Sequence, residues 1–454
     1  MTDSVHHELV VAGTLALPDS QNPLNGWLGI DNGKITAISD KPLEGLKHID
    51  ATDKLILPGF VDAHVHTRSC VDEGITATTR AAAAGGTTTL IDMPFDRPAR
   101  PVTTEERLRT KIDDIAKEAI IDVGLYVTFS PSGSLDNIQQ MADAGAAGFK
   151  VSTIEVDPVR FPRIPDGRFY EAFQEIKKTG LPVAAHQENQ EIIFSEADRF
   201  IAEGRTEPID HALSRPAVAE AEAAGRLLEF AYWTGARLHM VHGTIPRTFD
   251  LIDWNRSNGV KATGETCLQY LLLDQSALIE QGGRAKCNPP LRTEEDVTGL
   301  WKQLQSGIID IVTSDHSPYP LHRKETTNIF DAYAGMPGAE TLGTLLYSEG
   351  VATGRISLTR FLELVCSGPS DIFGFRNKGR LAPGADADFI VFDPGASWEV
   401  DDAELHYAVG VSPYNGRSVN GRVDSTWLRG ECVFRNNEVI GTPGLGRFVR
   451  PNKS

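Results

Sequence analysis

The run Asp62-Ala63-His64-Val65-His66 sets two imidazoles two residues apart. In an extended strand such residues share a face, so His64 and His66 aim at one point, as two ligands of a cation would. Four more residues of ligand type close apolar runs further along. Lys150 closes Ala147-Gly148-Phe149-Lys150, and His186 closes Pro182-Val183-Ala184-Ala185-His186. His242 closes His239-Met240-Val241-His242, and Asp315 follows Val312-Thr313-Ser314. His239 lies three residues before His242, so strand parity turns it the other way and it reads as a packing or surface residue. Imidazole and carboxylate ligands suit Zn²⁺ first, with Mn²⁺, Co²⁺ and Fe²⁺ as alternatives. A lysine ending an apolar strand is costly unless its charge is changed or paired. Carboxylation of its amine resolves that cost, because the resulting carbamate is an anion able to bridge two cations. The set predicts a divalent-metal site, where a carbamate (N6-carboxylysine) at Lys150 would be able to bridge two ions. Bound divalent metal lowers the pKa of water from ~16 toward ~7 and polarises a carbonyl oxygen, the requirements of hydrolysis.

These residues need elements that end at a common place. Candidate strands run over Ile56–His66, Thr87–Met93, Ile121–Thr128, Ala146–Ser152, Leu181–His186, Arg237–His242, Val260–Glu265 and Ile308–Asp315, with helical patterns such as Ala217–Trp233 and Thr293–Gln305 between them. Near-continuous apolar strands alternating with helices predict an α/β fold, a closed (β/α)₈ TIM-like barrel with its chemistry at the C-terminal ends of the strands. A doubly wound sheet would place a Gly-rich phosphate loop after the first strand, and the sequence has none there. The two ends of the chain read differently. Short alternating segments around Glu8–Val11, Leu28–Asp31 and Lys34–Ile38 resume at Ala387–Asp393, Thr426–Arg429 and Glu431–Phe434. They predict a small β-sandwich domain built from residues 1–56 and 379–454, with the barrel occupying residues 57–378.

The remaining composition narrows the function class. A formal net charge of -18, with no basic cluster, argues against a nucleic-acid partner. No apolar stretch is long enough for a bilayer span, and Met-Thr-Asp-Ser-Val-His-His is not a secretory leader. Five scattered cysteines without a CxxC pair predict free thiols in a reducing cytoplasm.

The chain resembles the amidohydrolase superfamily, and within it the cyclic amidohydrolases: allantoinases, hydantoinases/dihydropyrimidinases and dihydroorotases. The likeness runs from Leu57-Pro58-Gly59-Phe60-Val61-Asp62 to Gly379-Arg380-Leu381-Ala382-Pro383-Gly384-Ala385-Asp386-Ala387-Asp388. By that resemblance His64 and His66 hold the more buried metal, His186 and His242 hold the other, and carboxylated Lys150 bridges them. Asp315 then binds the buried metal and serves as general base, passing a proton to the departing ring nitrogen. The segments Gly264-Glu265-Thr266-Cys267, Ala285-Lys286-Cys287-Asn288-Pro289-Pro290-Leu291-Arg292, Ser314-Asp315-His316-Ser317-Pro318 and Ser412-Pro413-Tyr414-Asn415-Gly416-Arg417 look most like allantoinase.

This resemblance implies opening of a cyclic amide or ureide C–N bond, allantoin to allantoate first. The alternative is another cyclic amide or imide handled in the manner of hydantoinases or dihydroorotases, carboxylated rings included. A non-catalytic interaction protein is a remote reading, since such relatives lose metal ligands. Glu155 stands where hydantoinases carry an oxyanion-assisting tyrosine. Arg68 matches the arginine with which dihydroorotases hold a substrate carboxylate, while Phe95 replaces the asparagine that completes their clamp. Asn288 lies on the loop that holds the substrate amide in the family. Cys267 and Cys287 have no base beside them in sequence and read as packing groups, with Cys287 also a candidate pocket residue. Arg68, Asn288, Glu155 and Cys287 are therefore the candidate substrate residues, with a salt bridge at the barrel rim the other reading of Arg68; Arg160 and Arg163 read as ordinary loop charges, with a lid role the alternative. The family also implies a homo-oligomer, a tetramer.

Overall fold

The structure is a computed structural model that describes residues 6–18, 23–98 and 100–452. The chain opens with β1 (His6–Leu15), β2 (Leu24–Asp31), β3 (Lys34–Ser39) and β4 (Glu44–Pro58). β1 pairs antiparallel with β2 and parallel with β4. The alternation seen in β1 becomes a wholly buried run at Ile56-Leu57-Pro58, where the chain enters the barrel.

The barrel strands are β5 (Phe60–Val65), β6 (Thr87–Asp92), and, after a short hairpin of β7 (Phe95–Asp96) and β8 (Arg100–Pro101), β9 (Asp122–Val127), β10 (Gly148–Ser152), β11 (Pro182–His186), β12 (Arg237–Met240), β13 (Ala262–Cys267) and β14 (Ile311–Thr313). Each candidate strand read from sequence corresponds to one of these. They pair in parallel in the order β5-β6-β9-β10-β11-β12-β13-β14. Every residue of β5, β6, β9, β10 and β11 is buried, as expected of a parallel sheet covered on one face by helices and filled on the other by side chains. Closure comes from a parallel bridge between Val65 and His316, with His66 N–H donating to the His316 carbonyl at 2.9 Å.

The helices carry ordinary signals. In Glu105–Glu118, the Thr104 hydroxyl caps the N-terminus by accepting from Arg107 N–H, and Glu105 and Glu106 sit in the first turn where the dipole favours anions. Its buried stripe is Leu108, Lys111 and Ile115. Lys111 is tolerated there because its ammonium meets Asp92 at 2.8 Å and Asp96 at 2.6 Å.

After the barrel the chain returns through β15 (Phe389–Glu399), β16 (Ser418–Leu428), β17 (Glu431–Arg435) and β18 (Glu438–Val439). β15 lies antiparallel to the end of β4, with Phe389 opposite Pro58. Both ends of the chain thus form one mostly antiparallel sheet, in the order β18-β17-β16-β15-β4-β1-β2-β3. It has its own core of Val11, Leu28, Ile30, Ile35, Ile56 and Phe389, with the Phe389 ring stacked on Trp427. The five cysteines are unpaired. Among the described residues no helix is long and apolar enough to cross a membrane.

Candidate metal centre

His64 and His66 leave the end of β5 on the same side, their ring centroids 5.5 Å apart. Asp315 lies two residues beyond β14 with φ +46°, and this left-handed turn brings its carboxylate back over the barrel mouth. Asp315 Oδ1 is 3.1 Å from His64 Nε2 and 3.4 Å from His66 Nε2. The three ligand atoms lie within 4.8 Å of one another, close enough to share a cation. His186 ends β11, and its ring centroid is 4.5 Å from that of His242. The His242 ring in turn is 5.5 Å from that of His64. Lys150, buried in the middle of β10, completes the group. All six residues line one cavity of about 390 Å³.

His242 is reached by a route that strand parity does not describe. β12 ends at Met240, and His242 has φ +39°, so the backbone has already turned. His239 therefore need not point the other way from His242. It is fully buried beneath the centre, with Nδ1 2.8 Å from Thr263 Oγ1 and Nε2 3.2 Å from Glu265 Oε2. Of the two readings offered for it, packing is the one realised.

The electrostatics suit cation binding. Burial holds His66 down at about 4, against the upward pull of Asp315. Burial also lowers His186 and His242, so these imidazoles are neutral and carry free lone pairs. Burial pushes the Asp315 carboxyl up, but His64, His66 and Lys150 outweigh it and keep the group ionised. Burial lowers the Lys150 amine to about 8, against the pull of Glu265 and Asp315. His242 Nδ1 is buried with no hydrogen-bond partner. Such an unmet atom costs about 1–3 kcal/mol unless a ligand satisfies the ring. The donor set and this orphaned nitrogen fit divalent cations.

A ring of carboxylates holds the candidate ligands from behind, and residue patterning alone does not single it out. Glu265 accepts from His64 Nδ1 and from the His242 backbone N–H, the latter at 3.2 Å. Glu188 lies 2.7 Å from His186 Nε2 and is held by Arg215 at 2.6 Å. Asp62 accepts from Ser314 Oγ at 2.5 Å, tying β5 to the segment that carries Asp315. The available signal was position, since Glu265 sits in the strand β13 and Glu188 two residues after a ligand histidine.

The candidate substrate residues divide. Asn288 and Cys287 line the cavity, and Asn288 Oδ1 is buried without a partner. Cys287 Sγ is 3.2 Å from the Pro289 carbonyl, and burial pushes its thiol up to about 12, so it is not a nucleophile at neutral pH. Arg68 does not line the cavity. Its guanidinium donates to Asp114 at 2.7 Å and Glu118 at 3.0 Å on a neighbouring helix, because those carboxylates satisfy it outside the mouth. Glu155 is exposed and also lies off the cavity wall, its backbone N–H bonded to Gln190. Arg160 corrects the reading of an ordinary loop charge: it is 5 % exposed and lines the cavity with Arg97, Asp157 and Phe161. Phe161 stacks on Phe95 at 3.7 Å and stands edge-on to His186 at 6.1 Å. Arg163, 3.7 Å from Glu191, stays off the wall.

Known proteins resemble the chain throughout. Residues 55–433 match the family described as the Amidohydrolase family. An allantoinase of Rubrobacter xylanophilus is 39 % identical over 435 residues, covering 94 % of each chain. An allantoinase of Salmonella choleraesuis is 34 % identical over 455 residues, covering 97 % of this chain and 98 % of that protein. Among solved structures, the L-hydantoinase (dihydropyrimidinase) from Arthrobacter aurescens superposes with a TM-score of 0.94 at 32 % identity, covering 98 % of this chain and all of the other.

Proposed function

This chain belongs to the amidohydrolase family and is a hydrolase of cyclic amides, and from that premise we propose that it opens the hydantoin ring of allantoin to give allantoate. The observation that carries the substrate is the near full-length likeness to allantoinases, at 39 % and 34 % identity. The barrel, residues 57–378 in our division, is assigned the catalysis, and the terminal segments 1–56 and 379–454 its support.

His64, His66, Lys150, His186, His242 and Asp315 are the residues we assign to two divalent cations, Zn²⁺ by the chemistry of the donors. Those ions, when bound, supply Lewis acidity toward the ring carbonyl and lower the pKa of water. The protein's own residues do the rest. The Lys150 amine, held at about 8 by burial, is neutral often enough near neutral pH to add carbon dioxide and release a proton. The product is an anion where a bare ammonium would repel cations. Asp315, ionised at neutral pH, takes a proton from the attacking water and returns it to the ring nitrogen as the C–N bond breaks. Glu265 and Glu188 hold His64 and His186 so that one nitrogen of each faces the cavity. Asn288, which lines the cavity, is the residue we assign to the ring amide. The cysteines take no covalent part.

One further reading has an observation behind it: the similar solved structures are hydantoinases and dihydropyrimidinases. The same residues would open a hydantoin or dihydrouracil ring by the same steps. A carboxylated ring has lost its expected partner, since Arg68 is turned to Asp114 and Glu118. A cytoplasmic homotetramer is the assembly we expect from the family. A hydrolysis screen of the metal-loaded protein against allantoin, hydantoin, dihydrouracil and dihydroorotate tests the assignment. Allantoin should give the highest kcat/KM, and preference for another ring would replace it.

A further inference from the structure

One wall of the cavity has no part in the steps above. After β10 the chain doubles back, with Asp157 and Phe161 joined by an antiparallel bridge. Arg160 projects from this turn, and its NH1 donates to the Phe95 carbonyl at 2.8 Å. Arg97, which directly follows β7, lies over the Tyr333 ring at 5.5 Å from its centroid. The Nε atoms of Arg97 and Arg160 are both buried and neither has a hydrogen-bond partner. Asp157 spends one oxygen on its own turn, Oδ1 accepting from Val159 N–H at 3.0 Å and Arg160 N–H at 2.8 Å. Its other oxygen lies 4.0 Å from Arg160 Nε and accepts no hydrogen bond from the described residues. Arg97, Arg160 and Asp157 share this wall of the cavity, two cations beside one anion.

That array selects among substituents. An alkyl group would take these charged side chains out of water without pairing them, which is costly. A carboxylate would satisfy the arginines but face the Asp157 charge. A ureido group, –NH–CO–NH₂, offers a carbonyl acceptor and amide donors together.

We propose that Arg97, Arg160 and Asp157 bind the exocyclic ureido group of the substrate, the arginines donating to its carbonyl oxygen and Asp157 accepting from its amide N–H. The inference rests on the allantoin reading and adds the residues that select this ring over unsubstituted or alkylated ones. Phe161, beside Arg160 and edge-on to His186, connects this wall to the metal-ligand residues.

The test compares allantoin with 5-propylhydantoin, the same ring carrying an alkyl chain of similar length. Metal-loaded wild type, Arg97→Met and Asp157→Asn are assayed on both, with propylhydantoin read as a competitive inhibitor if it is not turned over. Asp157→Asn retains the oxygen that accepts within the turn, so it guards against a simple folding defect. The preference for allantoin should fall roughly 10- to 100-fold in each variant, since a site built for a polar group loses its partner. A preference unchanged in both variants, in a wild type that opens allantoin, overturns the inference and leaves the allantoin reading standing. A wild type that opens propylhydantoin and not allantoin overturns both.

Discussion

Glu265, fully buried, accepts a hydrogen bond from His64 Nδ1 through one carboxylate oxygen, and its other oxygen lies 3.2 Å from His239 Nε2. Burial pushes the Glu265 carboxyl up, but His64 and His239 hold it well below the usual carboxylate range. The acceptor fixes the His64 proton on Nδ1 and leaves Nε2 facing Asp315. Glu265→Gln should therefore weaken metal retention by roughly 10- to 100-fold. Chelator titration with metal analysis checks it, and retention equal to wild type would show that the backbone alone orients His64.

Lys150→Ala should abolish the bridge. We expect metal content to fall below two ions per chain and activity to be lost, with partial recovery when a short carboxylic acid supplies the missing oxygens. Mass spectrometry of the intact enzyme is the independent readout. An unmodified Lys150 in active, metal-loaded protein would contradict the assignment.

Arg68→Ala should leave KM for allantoin within about twofold, because the guanidinium faces Asp114 and Glu118 rather than the cavity. Its cost should appear as stability, about 1 kcal/mol for a partly exposed pair, in a denaturant titration. A KM raised tenfold with unchanged stability would return Arg68 to the substrate.

The pair of His406 and Glu340 joins the segment between β15 and β16 to the loop after β14, with His406 Nδ1 2.8 Å from Glu340 Oε1. The Glu340 hydrogen bond raises the His406 pKa, against burial. A raised histidine contributes stability that is fully present below its unfolded value of ~6.5 and lost as pH rises through the folded value. His406→Gln should then cost about 1 kcal/mol near pH 6 and less at pH 9. Unfolding at the two pH values reads this directly, and a cost that grows with pH would contradict the sign.

Much of the fold is legible because barrel strands are buried on both faces, and the candidate ligands lie in or just beyond them. His64 and His66 follow from a period of two, and Lys150 from the cost of a cation in an apolar strand. His242 and Asp315 were identified by type and place, but their geometry depends on φ of +39° and +46°, which parity cannot express. Glu188 and Glu265 carry no such signal, because a carboxylate behind a candidate ligand differs in no local pattern from one on the surface. Arg68 takes the rim salt bridge rather than the substrate role, and Arg160 reaches the cavity, for the same reason. Which arginine meets a helix carboxylate and which meets the cavity is decided by loops whose path depends on tertiary contacts, such as Phe161 on Phe95.

The central claim is metal-dependent opening of allantoin with Asp315 as the proton carrier. The most direct measurement is the rate of allantoate formation by metal-loaded wild type, chelated wild type and Asp315→Asn. Ready turnover is expected of the first, loss on chelation with recovery on adding Zn²⁺ of the second, and a kcat lowered roughly 10²- to 10⁴-fold of the variant. Undiminished allantoin turnover after exhaustive chelation, or by Asp315→Asn, would contradict it.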